Sequence, residues 1–74
     1  MDAAAIDLMA RTYLTEVRNR LEHAAGIARA ADACAGAGFM EKALEVALDI
    51  DQPIYEVTTL LNAASLMNRI LKKT

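Results

Sequence analysis

Seventy-four residues with a net charge of −2 make one domain, near the lower limit at which a single core holds itself together. Apolar residues are 55% of the chain, but many are alanine, and there is no tryptophan, one phenylalanine and two tyrosines. The acidic balance argues against general capture of nucleic acid. A lone cysteine, Cys34, excludes an internal disulfide and a cysteine-built metal site, and fits a reducing, cytoplasmic setting.

The first stretch, residues 2–35, is expected to be one long helix. Its apolar positions are Ile6, Ala10, Tyr13, Val17, Leu21, Ala24, Ala28, Ala31 and Ala35, spaced close to the 3.6-residue turn. Ile6, Val17 and Ala28 share an 11-residue spacing, which predicts a nearly straight helix rather than a left-handed coiled coil. Asp2 is the expected N-cap. Arg11, Arg18 and Arg29 are placed on the face opposite the stripe, with Asp7, Glu22 and Asp32 beside them, and Glu16 and Arg20 form an i,i+4 pair on its edge. Gly26 is read as tolerated inside the helix, at a cost of about 1 kcal/mol relative to alanine. After Leu21 the stripe is all alanine, a docking surface for a helix that brings larger side chains.

Gly36-Ala37-Gly38 is a stop, with Gly36 or Gly38 as the left-handed closing residue. A second helix over residues 39–50 is expected to turn Met40, Ala43, Leu44, Ala47 and Ile50 to one side and Glu41, Lys42, Glu45 and Asp49 to the other. Asp51-Gln52-Pro53 is a second break, with Asp51 or Gln52 capping a third helix over residues 53–72. That helix is apolar over a wide arc: Ile54, Val57, Leu60, Leu61, Ala64, Met67, Ile70 and Leu71. No uninterrupted apolar run approaches about 18 residues, so no membrane span is expected. The N-terminal Met-Asp-Ala-Ala-Ala-Ile-Asp carries acids where a secretory signal carries bases.

The second and third helices together match the first in length, so the preferred fold is all-α: an antiparallel helical hairpin with its returning arm broken at Pro53. A three-helix up-down-up bundle is the competitor. In the hairpin, residues whose numbers sum to about 74 face one another across the antiparallel pair, so that Val57 meets Val17, Ile50 meets Ala24 and Val46 meets Ala28. By that phase Ala28→Leu overpacks the core and Ala25→Leu is tolerated. Both chain ends then share one end of the rod, with Arg11, Arg18, Arg20, Arg69, Lys72 and Lys73 against Asp2, Asp7, Glu16 and Glu22. The turn end collects Asp32, Glu41, Glu45, Asp49, Asp51 and Glu56 against only Arg29 and Lys42. The rod is basic at one end and acidic at the other.

Catalytic chemistry is hard to place. No Glu-x-x-His motif and no glycine-rich phosphate loop occur, the carboxylates form no pair, and no cofactor or metal is called for. His23, with Gly26 on the same helix, then a turn and a second helix, resembles histidine-containing phosphotransfer domains over a few positions. The lysine customary shortly after that histidine is absent and the glycine stands one residue early. The resemblance implies a phosphorylatable His23. Gly38-Phe39-Met40-Glu41-Lys42-Ala43-Leu44-Glu45 is similar to the second helix of a tetratricopeptide repeat, in a single copy where an array needs about three.

The expected function is therefore a non-enzymatic protein–protein interaction or oligomerisation module, forming a homodimer or binding another protein. Its candidate interaction residues are Arg11, Arg18, Leu60, Leu66 and Ile70, the last three because they cannot all face the first helix. A phosphotransfer-like signalling domain using His23 and a small nucleic-acid-associated regulator are the alternatives.

Overall fold

The computed structural model describes residues 2–73, nearly all of them helical and none in a strand. Helix α1 spans Ala3–Gly36, α2 Met40–Leu48 and α3 Asp51–Lys73. The start of α1 is the expected one: Asp2 is extended, and its Oδ1 accepts from the Ala4 amide at 3.2 Å. This satisfies one of the donors that the first turn leaves without an intrahelical acceptor. The helix runs through Gly26 without a break. A Cβ at that position would meet only the Arg29 guanidinium, at 3.7 Å, so neither a kink nor a close approach calls for glycine there.

The end of α1 is set by Gly38 at φ +93°. The Gly38 amide donates to the Ala35 carbonyl (3.0 Å) and the Phe39 amide to the Cys34 carbonyl (2.9 Å). These paired bonds are those of a Schellman motif, with glycine at the one position that takes left-handed geometry. Gly36 is still helical.

The second break is milder. After α2 the Asp49 amide donates to Val46 (3.0 Å) and the Ile50 amide to Ala47 (3.1 Å), both tightened i→i−3 bonds, and the Ile54 amide already donates to Ile50 (3.2 Å). Helix α3 begins at Asp51, two residues before the expected start, so Asp51 and Gln52 lie inside its first turn rather than capping it. Pro53 is accommodated because an amide in the first turn has no intrahelical acceptor anyway. Asp51 there meets the positive end of the helix dipole.

Both α2 and α3 pack against α1, and the molecule measures 55 × 14 × 13 Å. The chain is thus a hairpin in which α2 and α3 lie end to end along α1, and not the up-down-up array. Its radius of gyration, 17.0 Å, is well above the roughly 11 Å of a compact domain of this length.

The seam between the arms differs from the expected stripe. The covered positions of α1 are Ile6, Ala10, Tyr13, Val17, Arg20, Ala24, Ile27, Ala31 and Cys34, with Glu16, Gly26 and Ala35 half-covered beside them, whereas Leu21 and Ala28 are exposed. The steps alternate four and three, a heptad spacing, and not the 11-residue spacing. Two helices in contact over so many turns keep one stripe facing the partner by winding gently around each other with a left-handed sense. That phase carries Arg20 and Ile27 inward and turns Leu21 and Ala28 out. Ala28 therefore does not meet Val46 across the seam.

The returning arm follows the same rule: Ala43, Val46, Ile50, Pro53, Val57, Leu60, Ala64 and Met67 are its covered positions, with Ala47, Glu56, Ala63 and Ile70 half-covered beside them. The alternation passes through the break without a slip, and Pro53 is itself buried. Met40, Leu44, Ile54, Leu61 and Leu71, expected to face α1, are exposed.

Candidate interaction surface

The five predicted interaction residues do not converge. Arg11 and Arg18 are exposed on the outer side of α1 and paired within it: Arg11 Nε lies 2.8 Å from Asp7 Oδ2, and Arg18 Nε 3.9 Å from Glu22 Oε1. Leu60 is half-buried at a seam position, Ile70 is half-buried beside the seam, and Leu66 is exposed. In the heptad phase Leu66 stands away from both, so the three form no common face.

The two sides of the hairpin differ in chemistry. One flank of the seam is formed by Glu16 and His23 from α1 and by Asp49 and Glu56 from the arm. Here Arg20, expected on an edge, is half-buried and makes a charge-assisted hydrogen bond with Glu16, while its Nε reaches Glu56 Oε1 across the arms at 3.5 Å. His23 is exposed and shares an open depression with Ile27, Asp49, Asp51, Pro53 and Glu56. Three carboxylates thus line the same depression as the imidazole.

The other flank is apolar along most of its length. The position next to each seam residue on this side is Leu14, Leu21, Ala28 and Ala35 in α1, and Met40, Ala47, Ile54 and Leu61 in the arm. Antiparallel running sets these side by side as four rows: Leu14 with Leu61, Leu21 with Ile54, Ala28 with Ala47, and Ala35 with Met40. Leu14, Leu21, Ile54 and Leu61 are 42 to 57% exposed. A row further towards the chain ends is polar, Asp7 with Asn68. The face is bordered on α1 by Arg11, Arg18 and Asp32, and on the arm by Leu44, Asp51 and Thr58.

No family model matches this chain, and no curated protein and no solved structure is similar to it at a significant level. What the surface does must be read from its own chemistry. Among the described residues no cluster of three or more histidine, cysteine or carboxylate side chains could hold a metal ion. Nor is any helix among them long and apolar enough to cross a membrane. Cys34 carries a free, half-buried thiol at a seam position.

Reading the sequence at a 3.6-residue period put Leu21, Ile54 and Leu61 in the core and left Leu14 unassigned. The signal that finds the face is the seven-residue step from Leu14 to Leu21 to Ala28 to Ala35, repeated from Met40 to Ala47 to Ile54 to Leu61.

Proposed function

We propose that this chain is a small helical interaction module without catalysis, which acts by burying its exposed helical faces against protein. The observation that carries the reading is the ratio of inside to outside. Among the described residues, the buried hydrophobic core is Ile6, Ala24, Ala43, Val57 and Met67, while thirteen large hydrophobic residues are exposed. Five of the thirteen, Leu14, Leu21, Met40, Ile54 and Leu61, line one flank of the hairpin, and a contiguous apolar flank supports a protein-binding reading better than singly scattered residues do. A cytoplasmic setting suits it, since a lone free thiol is kept reduced there.

The phosphotransfer alternative gains no support from the surroundings of His23, where Asp49, Asp51 and Glu56 have the wrong sign for a phosphorylated imidazole. The nucleic-acid alternative lacks a basic stripe, because Arg11 and Arg18 are matched by Asp7 and Glu22.

The test is twofold. Thermal melting is followed across a wide range of protein concentration, and tagged protein is used to capture partners from lysate. The expected result is stability that rises with its own concentration or with that of a captured protein. A chain that melts independently of concentration and whose capture is indifferent to charges placed on its apolar strip would overturn the reading.

A further inference from the structure

We infer that the occupant of the apolar face is a second copy of this chain, lying antiparallel on the first to complete a four-helix assembly. The inference rests on the interaction-module reading and names its partner.

Three observations select this occupant. The first is area. The chain exposes 5464 Å², whereas a compact monomer of 8.0 kDa exposes about 4,500 Å². The surplus of about 1,000 Å² is close to the roughly 800 Å² that each partner contributes to a stable interface. One copy offers the area that one copy needs to lose.

The second is shape. The rows run from large (Leu14 with Leu61, Leu21 with Ile54) to small (Ala28 with Ala47), ending at Ala35 with Met40. A two-fold axis across the face between the second and third rows sets Leu21 and Ile54 over Ala28 and Ala47 of the second copy. It also sets Leu14 and Leu61 over Ala35 and Met40. Leu14, Leu21 and Ile54 thus meet alanines, as close packing favours, Leu61 meets the flexible Met40 at each outer row, and the contact is isologous. A parallel copy would stack leucine on leucine and alanine on alanine, leaving gaps between the alanines.

The third is charge. The antiparallel axis lays the basic end of each rod towards the acidic end of the other, and brings Arg18 on the border of the face opposite Asp32 of the second copy. A parallel pair sets like ends together, which is repulsive at both.

The experiment is sedimentation equilibrium on the full chain, unsubstituted and as Leu21→Glu, Ile54→Glu and, on the outer side of α1, Thr15→Glu. All three positions are exposed in the single hairpin, so circular dichroism below the association range should show unchanged helicity. The unsubstituted chain and Thr15→Glu are expected to be dimers at micromolar concentration. Each face variant should raise the dissociation constant at least about tenfold, because it buries an unpaired carboxylate. Orientation is read from a nitroxide at Leu8→Cys in a Cys34→Ser background. Antiparallel copies hold the two labels about 50 Å apart, and parallel copies within about 20 Å. A monomer at all concentrations overturns the inference and leaves the module reading standing if the same face variants lose a captured protein. Dimers that ignore both glutamates, or labels at the short distance, overturn this face or this orientation while association itself remains.

Discussion

Ala28→Leu separates the two ways of placing the first helix. A 3.6-residue phase puts Ala24 and Ala28 in the core together, so a leucine at either forces the arms apart. In the heptad phase only Ala24 is buried, at 7% exposure, and Ala28 lies outside the seam. Overpacking a filled site costs about 1–3 kcal/mol. The opposing arm near Ala24 carries Ile50 and Pro53, one branched and the other rigid, so the upper half of that range is expected for Ala24→Leu. For a domain of this size each kcal/mol moves the melting temperature by about 4–8 °C, giving a loss of roughly 8–24 °C. Ala28→Leu adds only a surface side chain, and its effect on the hairpin should stay within about 0.5 kcal/mol.

The comparison is made in a Leu21→Glu background at one fixed concentration, so that association does not contribute to the readout. Circular dichroism at 222 nm follows the melt. Equal losses from the two substitutions would refute the heptad phase and restore the straight-helix stripe. A loss confined to Ala28→Leu would refute the antiparallel register as well.

Gly26→Ala should stabilise the hairpin by about 0.4–1 kcal/mol in a denaturant titration, because the helix is unbroken there and the new methyl meets only a flexible guanidinium; a loss would reveal a close neighbour at that position. Gly38→Ala should cost about 1–2 kcal/mol by forcing a side chain into left-handed geometry, while Gly36→Ala, inside the last helical turn with nothing near its Cβ, should be neutral or stabilising; reversed signs would mean that Gly36 closes the helix. A double-mutant cycle on Arg20→Met and Glu56→Gln should return a coupling below about 1 kcal/mol, since the side chains are 31% and 41% exposed and water screens the pair. That coupling should shrink with added salt; a value that persists at high salt would mean the pair is desolvated by something packed over it.

Much of the fold was legible because its strongest signals are local. The Asp2 cap, the Gly36-Ala37-Gly38 stop and the restart around Pro53 each rest on the chemistry of one or two residues, and each lies where it was expected to within two positions. The hairpin followed from matching lengths. The helical phase did not, because a 3.5-residue and a 3.6-residue stripe separate by only about 20° per heptad. Over about the first three turns from Ile6 both readings choose Ile6, Ala10, Tyr13 and Val17. They part at Arg20 and Leu21, where hydrophobicity favours the leucine and the partner helix takes the arginine. Arg20 is admitted because its stem covers apolar surface while its guanidinium reaches Glu16 and Glu56 at the rim. A cation held by carboxylates from both arms is a tertiary fact, invisible to a count of apolar positions along one helix. The same phase difference of one position moves Leu21, Ile54 and Leu61 from the expected core to the surface.

The core and the proposed interface follow from the same choice of side chains. A seam built from Ala10, Ala24, Ala31, Ala43 and Ala64 brings the arms close but buries little area for each residue. The larger residues that would have enriched it, Leu14, Leu21, Ile54 and Leu61, stand one position further round. In a single hairpin they are only about half covered. Moving them inward would have produced a better monomer with an unremarkable surface. Leaving them outside leaves them available to whatever covers the strip, and under the proposed dimer the hairpin's stability would rise with its own concentration. The break before α3 fits this economy, because it keeps the heptad alternation from Ala43 through Pro53 to Met67 and so leaves the strip on one side from end to end. A break that slipped the phase by one position would have turned Ile54 and Leu61 away from Leu21 and Leu14 and divided the face in two.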